Sequence, residues 1–296
     1  MCEPVSLWPF FLFDLNCREN SKNYYLRKLS DKCKQRMQDR HFDNRRYFEE
    51  LVKTSAKYFL PYIETFIKIQ DGLKVLEIGC GEGGILLPFA HKGCSVVGVD
   101  FDAKKIAAGT NIFAEDKVDG RFIAQDIFKL KEMEHEFDLI ICHDVIEHIF
   151  DKDEFIFKCE LLLKPNGMMF MSFPAWQMPF GGHQQMCKSR FLSHLPWFHL
   201  LPRFLYKFNL KLFKEDQFRI NDLLEIKRCK CPIEKFQRIV RTKNFSIIDR
   251  QLWFINPHYE TKFHLKPRKL WKWVGAIPWL RNFFTTSCFY MLKLNN

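Results

Sequence analysis

The sequence predicts an α/β fold built on a doubly wound, mainly parallel sheet of seven strands. Short apolar runs alternate with segments of helical spacing between residues 73 and 173, which is typical of a parallel sheet with helices on both faces. A glycine-rich loop follows the first of these runs. The alternation stops at residue 174 and resumes at 232, which indicates an insertion into the sheet domain.

The residues just before the sheet are predicted to be helical. In YFEELVKTSAKYFLPYIETFI, residues 47–67, apolar side chains recur near helical spacing. Pro61 lies inside this pattern and has no backbone N–H, so we expect the helix to kink or split there.

Within the sheet domain, strands and helices follow each other closely. The strand candidates are, in order, LKVLEIG, CSVVGVD, GRFIAQDI, EFDLIICHD and MMFMSFP. The helical segments between them are GGILLPFAHKG, DAKKIAAGTNIFAED and VIEHIFDKDEFIFKCELLL, and PNG is a predicted turn. After the insertion, PIEKFQRIVRTKN is a helix candidate, and FSIIDRQLWFIN and TSCFYMLKL are the sixth and seventh strands.

These elements divide the chain into four parts. We predict an N-terminal helical segment at residues 1–70 and a cofactor-binding core at 71–175. A cap insertion follows at 176–231, and residues 232–296 complete the sheet, with a second irregular insertion at 257–282.

Composition and charge indicate a globular, cytoplasmic protein. Hydrophobic residues make up 47% and charged residues 27% of the 296 positions, and the 11 cysteines lack paired spacing, so we expect reduced thiols. We see neither a secretory signal nor an apolar run of the ~18 to 20 residues that a membrane span needs. Residues 71–175 carry 11 basic and 19 acidic groups, whereas residues 176–296 carry 22 and 7. The basic part is therefore predicted to face a substrate or a surface.

The glycine loop VLEIGCGEGGI, residues 75–85, fits two classes of ligand. Gly79, Gly81 and Gly84 match the dinucleotide fingerprint, but the same loop lets the backbone approach other adenosine-bearing cofactors. Three carboxylates stand at successive strand ends: Glu77, Asp100 and Asp126. They would repel a pyrophosphate and favour a positively charged adenosine ligand without phosphates.

Five motifs carry a resemblance to a known family: VLEIGCGEGG, VVGVD, FIAQDIF, FDLIICHDVIEH and LLLKPNGMMFMSFP. In order and spacing the chain resembles class I S-adenosylmethionine-dependent methyltransferases over about residues 70–175. The resemblance implies a Rossmann-like sheet with an antiparallel last strand, S-adenosylmethionine as cofactor and S-adenosylhomocysteine as its product. The cofactor-binding residues that it implies are Glu77, Gly79, Cys80, Gly81, Gly83, Asp100, Phe101, Asp126, Ile127 and His143.

Histidines are the candidate general bases, because an oxygen acceptor must lose a proton during methyl transfer. His148 and His183 are preferred over the other histidines near the predicted pocket. If a helix begins at HDVIEH, Asp144 and His148 are four residues apart and share one face. DVIEH also resembles the ubiquinone-biosynthesis type of O-methyltransferase. No carboxylate cluster of the kind that holds an essential magnesium ion is evident, so no metal is predicted.

The methyl acceptor is predicted to be an oxygen of a small molecule or glycan, including a lipid-linked sugar. The chain lacks the Asn/Asp-Pro-Pro-aromatic motif of enzymes that methylate amino groups of nucleic-acid bases, and Cys142 is not preceded by proline. FGGHQ followed by PWFHLLP is similar to bacterial methyltransferases that we associate with surface polysaccharides. The alternatives are an N-methyltransferase acting on a small-molecule amine, and a catalytically inactive cofactor- or RNA-binding protein of the same fold.

Residues 190–214, RFLSHLPWFHLLPRFLYKFNLKLFK, combine aromatic and basic residues with no acidic residue. One hypothesis is a substrate lid packed on the core. Another is peripheral contact with an anionic membrane at its inner surface, with four aromatic residues in the headgroup layer: Trp197, Phe198, Phe204 and Tyr206. Single-stranded RNA would also suit this composition, although specific nucleic-acid binding is not expected in the absence of an RNA-binding module.

Overall fold

The computed structural model describes residues 44–130 and 133–295. Most of the predicted N-terminal segment, residues 1–70, therefore lies outside the described residues. The chain divides into two compact units, each described by itself below. The larger unit comprises residues 48–178 and 231–295, and the smaller one comprises residues 179–230 with residues 44–47.

One sheet organises the larger unit. Its strands are β1 Lys74–Ile78, β2 Ser95–Asp100, β3 Arg121–Ala124, β4 Phe137–His143, β5 Leu163–Phe173, β6 Phe245–Ile255, β7 Arg268–Lys269 and β8 Ser287–Leu294. Their order across the sheet is β3-β2-β1-β4-β5-β8-β6-β7. Strands β1 to β5 are parallel, and β8 is antiparallel to both β5 and β6. The predicted fold class is confirmed, including the antiparallel last strand.

The helices lie between these strands and in the smaller unit. Numbered along the chain, they are α1 Asn44–Thr54, α2 Leu60–Glu64, α3 Leu87–Ala90, α4 Ala103–Glu115, α5 Lys152–Leu162, α6 Arg190–His194, α7 Arg203–Leu212, α8 Gln217–Cys229, α9 Ile233–Thr242, α10 His258–Phe263, α11 Lys272–Ala276 and α12 Leu280–Phe283.

The predicted strand count is wrong by one. The extra strand is β7, a two-residue edge strand that pairs with β6. It lies in the stretch at 257–282 that the sequence predicted to be irregular, and this stretch also holds α10, α11 and α12. Elements this short have too few residues to show a periodic pattern, which is why the sequence did not indicate them.

Side-chain caps set where the longer helices begin. Asp102 accepts a hydrogen bond from the Lys104 N–H (2.9 Å) at the start of α4, and Asp151 accepts one from the Glu154 N–H (2.9 Å) at the start of α5. Helix α5 therefore begins later than the sequence predicted, and only a 3₁₀ turn at Ile146–His148 precedes it. The helix predicted in GGILLPFAHKG is likewise reduced to α3.

Both faces of the sheet are covered, as the apolar runs require. On one face Phe155 and Ile156 of α5 and Phe236 of α9 pack in the main core with residues of β4 and β5. On the other face the ring of Phe59 contacts those of Phe170 and Phe289, with centroid distances of 5.3 and 5.4 Å. Burying large apolar side chains on both faces is the main stabilising contribution to such a sheet.

The break predicted near Pro61 takes the form of a π-helical turn. Residues Ser55–Phe59 form this turn between α1 and α2, and Pro61, which has no N–H to donate, follows it in the first turn of α2. The turn places Phe59 in the core, and the Ser55 hydroxyl donates to the Ile85 carbonyl at 2.8 Å.

The smaller unit has its own core beneath α7 and α8. Tyr206, Leu210 and Leu223 are fully buried, and the rings of Phe198 and Tyr206 lie 4.7 Å apart. The hypothesis that Phe198 and Tyr206 enter a headgroup layer is therefore wrong, because both side chains are core residues of this unit. Glu215 accepts hydrogen bonds from the Lys188 and Ser189 N–H groups, at 2.9 and 2.8 Å, and so ties the segment before α6 to the start of α8.

The eight cysteines in the described part of the chain are buried thiols, and none of them is in a disulfide. Burial raises the pKa of Cys231 to about 12, so this thiol stays protonated near neutral pH.

Across residues 44–130 and 133–295, none of the helices combines the length and the apolar character that crossing a membrane requires.

Candidate active site

The glycine loop leaves β1 through three residues in the left-handed region. Gly79, Gly81 and Gly83 have φ values of 74°, 53° and 84°. A Cβ on Gly83 would lie 2.6 Å from the Phe122 ring, and one on Gly79 would overlap the side chain of Val145. These positions therefore need glycine for both conformation and space. Gly84, the third glycine of the dinucleotide fingerprint, serves packing instead, because an added Cβ would meet the Phe48 carbonyl at 2.7 Å.

Asp100, at the end of β2, fixes this loop. One carboxylate oxygen accepts a hydrogen bond from the Gly81 N–H and the other accepts one from the Asp102 N–H, both at 2.9 Å. The side chain is only 3% exposed. Each carboxylate oxygen has a second lone pair, so Asp100 can accept further hydrogen bonds from a ligand while it holds the loop.

Glu77 is a buried carboxyl group at the end of β1. Burial, and secondly the negative charge of Asp100, raise its pKa well above the ordinary value. Within the described residues, its Oε2 atom has no hydrogen-bond partner. An unpartnered buried carboxyl oxygen is costly, which favours a ligand that brings a positive charge or a donor to this position.

The end of β3 is less enclosed. Asp126 accepts a hydrogen bond from the Phe128 N–H at 3.0 Å and thereby caps the 3₁₀ turn Ile127–Lys129. Ile127 is buried, whereas Phe101 is 39% exposed beside the end of β2. Asp126 and Ile127 thus lie just after β3, the strand that pairs with β2.

His143 and Asp144 contact each other at the end of β4. His143 Nε2 lies 3.0 Å from Asp144 Oδ2, and its Nδ1 lies 3.2 Å from the Ser172 hydroxyl. Asp144 has a φ of 54° and is not helical, so the predicted helical pairing of Asp144 with His148 does not form. His148 instead lies in the 3₁₀ turn that follows.

Glu147 and Tyr259 are two residues of this region that sequence reasoning missed. Glu147 is 5% exposed, and neither of its carboxyl oxygens has a hydrogen-bond partner among the described residues. Burial, and then the charge of Asp144, raise its pKa well above the ordinary value. Burial and the same Asp144 charge raise the pKa of Tyr259, in α10. A glutamate inside the apolar stretch VIEHI was the available signal for Glu147, whereas Tyr259 carried none.

His183 belongs to the smaller unit. It lies in the left-handed region, with a φ of 56°, just before the 3₁₀ turn Gln184–Met186. Burial, and secondly the charge of His199, lower its pKa to about 4. The imidazole is therefore neutral near pH 7, which is the form that can accept a proton. The preceding Gly182 leaves no room for a Cβ beside His199.

The fold and these residues define an α/β protein with a candidate ligand site along the carboxyl edge of β3, β2, β1 and β4. In open parallel sheets, ligands bind at this edge. A family model described as a methyltransferase domain matches residues 69–228, more than half of the chain. The chain belongs to this family, and the resemblance to class I methyltransferases is confirmed.

Several known proteins are similar to parts of the chain. The ubiquinone biosynthesis O-methyltransferase of Chelativorans sp. (strain BNC1) is 39% identical over 102 residues, which are 34% of this chain and 40% of that protein. The enzyme of that name from Coxiella burnetii (strain RSA 493 / Nine Mile phase I) is 34% identical over 113 residues, 38% of this chain and 48% of that protein. The matched region thus spans less than half the length of these curated relatives.

Solved structures show the same fold at low identity. The magnesium protoporphyrin IX methyltransferase of Synechocystis PCC 6803, with bound S-adenosylhomocysteine, superposes with a TM-score of 0.53 and 16% identity. That alignment covers 86% of this chain and 94% of that one. The phosphoethanolamine N-methyltransferase 2 of Haemonchus contortus, in complex with S-adenosylmethionine, has a TM-score of 0.50 at 14% identity, over 80% of this chain and 51% of that one.

Proposed function

We propose that the protein is an S-adenosylmethionine-dependent methyltransferase that transfers a methyl group to an oxygen of a small molecule or glycan. The observation that carries the proposal is the buried acidic pair at the glycine loop. Glu77 is 2% exposed, and Asp100 adds a second negative charge beside it. Ionised Glu77 would therefore be stabilised by a cationic ligand. A sulfonium cofactor with an amino group and no phosphate is such a ligand, whereas a dinucleotide pyrophosphate is not.

The proposed cofactor pose follows the strand ends. The methionine part lies on the loop of Gly79, Cys80, Gly81 and Gly83, near Glu77. Asp100 accepts the ribose hydroxyls with its remaining lone pairs. The adenine lies near Phe101, Asp126 and Ile127, and His143 borders the reactive end of the cofactor. The electrostatics of Cys80 disfavour a nucleophilic role, since burial and the charge of Glu77 raise its thiol pKa well above the ordinary value.

The chemistry requires alignment more than activation. S-adenosylmethionine supplies a methyl group with a neutral thioether as leaving group, so the protein's task is to orient the acceptor and exclude water. A hydroxyl acceptor must also give up its proton. His148 and His183 remain the proposed alternatives for this base, and the lowered pKa of His183 keeps it in the accepting form near neutral pH. Asp144 is proposed to hold the His143 ring rather than to orient His148, because it pairs with His143.

The acceptor is proposed to be amphipathic or lipid-linked. The relatives named for ubiquinone biosynthesis align with about a third of this chain, which favours an oxygen acceptor without specifying it. Helix α7 presents Phe204, Phe208 and Leu212, 71%, 61% and 62% exposed, beside the basic residues Arg203, Lys207 and Lys211. We propose that this row gives the protein peripheral contact with an anionic membrane on the cytoplasmic side.

Two measurements test the proposed function. Calorimetry should show binding of S-adenosylmethionine and S-adenosylhomocysteine, and no comparable binding of NADH. Incubation of glycan and lipid-linked extracts with cofactor labelled in the methyl group should then reveal an acceptor whose mass rises by one methyl. Fragmentation of the product in a mass spectrometer separates an O-methyl from an N-methyl linkage. If NADH binds and the methyl donor does not, the proposal fails; if the cofactor binds but no acceptor is labelled, the inactive alternative takes its place.

A further inference from the structure

A cluster of tryptophans is exposed on the larger unit. Trp271, Trp273 and Trp279 are 56%, 67% and 58% exposed, and Ile277 and Leu280 beside them are 43% and 40% exposed. These five side chains lie within ten consecutive residues, around α11 and the start of α12. We call them the tryptophan patch. Large exposed apolar surface marks an interaction site more often than ordinary protein surface does.

A buried polar network holds the patch in place. The Arg281 guanidinium donates to Glu234 Oε1 at 3.0 Å and to Gln237 Oε1 at 3.1 Å. Asn282, fully buried, donates to Glu234 Oε2 at 2.6 Å and accepts from the Ile233 N–H at 2.8 Å. Arg281 and Asn282 come just after Trp279 and Leu280 and are bonded to α9, so this end of the patch stands on a fixed support.

The surroundings of the patch are basic. From residue 261 to residue 296 the sequence contains no aspartate or glutamate. Lys266, Arg268, Lys269 and Lys272 are exposed next to the patch. Glu234, the carboxylate that contacts this segment, is already occupied by Arg281, Asn282 and the Trp279 N–H. Exposed tryptophans with neighbouring cations are suited to the interface of a bilayer whose headgroups are anionic.

The patch lies near the carboxyl edge of the sheet, as the strand directions show. Strand β6 runs in the same direction as β1 to β5, because both β5 and β6 are antiparallel to β8. After β6 the chain pairs once more with the last residues of that strand, through β7; the patch lies between β7 and the start of β8, which pairs with Trp253 near the carboxyl end of β6. This is the edge at which β1, β2 and β4 present Glu77, Asp100 and His143.

We propose that the tryptophan patch docks the protein onto an anionic lipid bilayer, with the carboxyl edge of the sheet turned toward the membrane. The rings and Ile277 and Leu280 enter the headgroup layer, and the neighbouring cations meet lipid phosphates. The orientation rests on the proposed function, since it lets the enzyme reach an acceptor that is dissolved in or anchored to the bilayer. The docking itself does not depend on that function.

Vesicle binding tests the docking directly. Nuclease-treated protein is sedimented with phosphatidylcholine vesicles and with vesicles that also contain phosphatidylglycerol. We expect binding to the anionic vesicles at low salt and a loss at high salt. The double variant Trp273→Ala/Trp279→Ala should bind roughly tenfold or more weakly, because burying one large apolar side chain is worth at least that factor. The double variant Lys266→Glu/Lys272→Glu should lose the preference for anionic lipid.

A matched control and a separate readout keep the outcomes distinct. Phe157→Ala removes an exposed ring (47%) from α5, outside the patch, and should leave vesicle binding unchanged. The dissociation constant of S-adenosylmethionine should be the same in all these variants, which separates docking from the proposed function. Wild-type protein that stays in the supernatant, or tryptophan variants that still sediment, would overturn the docking. A wild-type dimer in gel filtration that the tryptophan variants abolish would also overturn it and assign the patch to self-association.

Discussion

The Asp100→Asn variant tests the candidate site at its most constrained point. Asp100 accepts hydrogen bonds from the backbone N–H groups of Gly81 and Asp102, at 2.9 Å each. Asparagine has nearly the same shape but only one acceptor oxygen, so one of these N–H groups will face an amide NH₂. The variant also removes a charge that we propose to receive the ribose hydroxyls.

The expected size of the effect follows from these bonds. A hydrogen bond to a charged group is worth about 1.5 to 3 kcal/mol, and loss of one such bond to the cofactor should weaken binding about 10- to 150-fold. Loss of a second bond, within the loop, should lower the free energy of unfolding by a similar amount. Asp126→Ala should weaken cofactor binding less, because Asp126 is proposed to meet a single amino group.

Calorimetry with S-adenosylmethionine and S-adenosylhomocysteine, alongside thermal unfolding, measures both effects. Asp102→Ala is the matched control, because it removes the cap on Lys104 at the start of α4 and should cost about 1 kcal/mol of stability without changing cofactor affinity. If folded Asp100→Asn protein binds both compounds as tightly as the wild type, Asp100 is not a cofactor ligand and the proposed pose is refuted.

Three further predictions concern other parts of the site. The raised pKa of Glu77 means that the folded protein holds a proton that the unfolded chain releases above pH 4.5, so the contribution of Glu77 to stability should fall as pH rises. Binding of the cationic cofactor should release this proton, which calorimetry in different buffers should detect. Glu77→Gln should remove the pH dependence and abolish the proton release. Of His148→Ala and His183→Ala, the variant that removes the base should lose roughly 10²- to 10⁴-fold in turnover at unchanged cofactor affinity, and near-normal rates in both would leave proximity alone as the mechanism. Gly79→Ala should lower the melting temperature more than Gly72→Ala, because both have positive φ but only Gly79 lacks space for a methyl group, and equal losses would show that the site relaxes.

The sheet could be predicted from the sequence because its strands are short apolar runs with clear ends. In β4, Leu139, Ile140, Ile141 and Cys142 are all fully buried, so their pattern reflects burial on both faces. The carboxylates at the ends of β1 and β2 could be placed for the same reason, since strand ends in a parallel sheet meet at one edge.

Local backbone conformation was harder to predict than strand position. Nothing in HDVIEH distinguishes a helix from the observed left-handed Asp144 followed by a 3₁₀ turn. The backbone conformation of Asp144 decides whether its side chain faces His148 or His143. A conformation with φ near 54° is uncommon for aspartate and is held here by its N–H bond to the Ser172 carbonyl at 2.7 Å. Such a contact joins residues far apart in sequence and leaves no local pattern.

Amphipathic segments posed a different difficulty. In residues 190–214 aromatic side chains recur so densely that composition alone does not separate Phe198 and Tyr206, which are core, from Phe204 and Phe208, which are exposed. The sequence did not indicate the tryptophan patch, because its support depends on Glu234, which is 45 residues before Trp279 and 47 before Arg281. Contacts of that range are visible only once the chain is folded.

The hydrogen bond from the Trp176 N–H to the Cys231 carbonyl, at 3.3 Å, brings together the two points where the chain leaves and re-enters the larger unit. The chain of the larger unit is thus nearly continuous across this junction, and residues 179–230 are an insertion between two neighbouring points of it. Closing such a gap with a short glycine linker costs little loop entropy. The length of this insertion can therefore change without altering the strand order of the sheet, the glycine loop or its carboxylates.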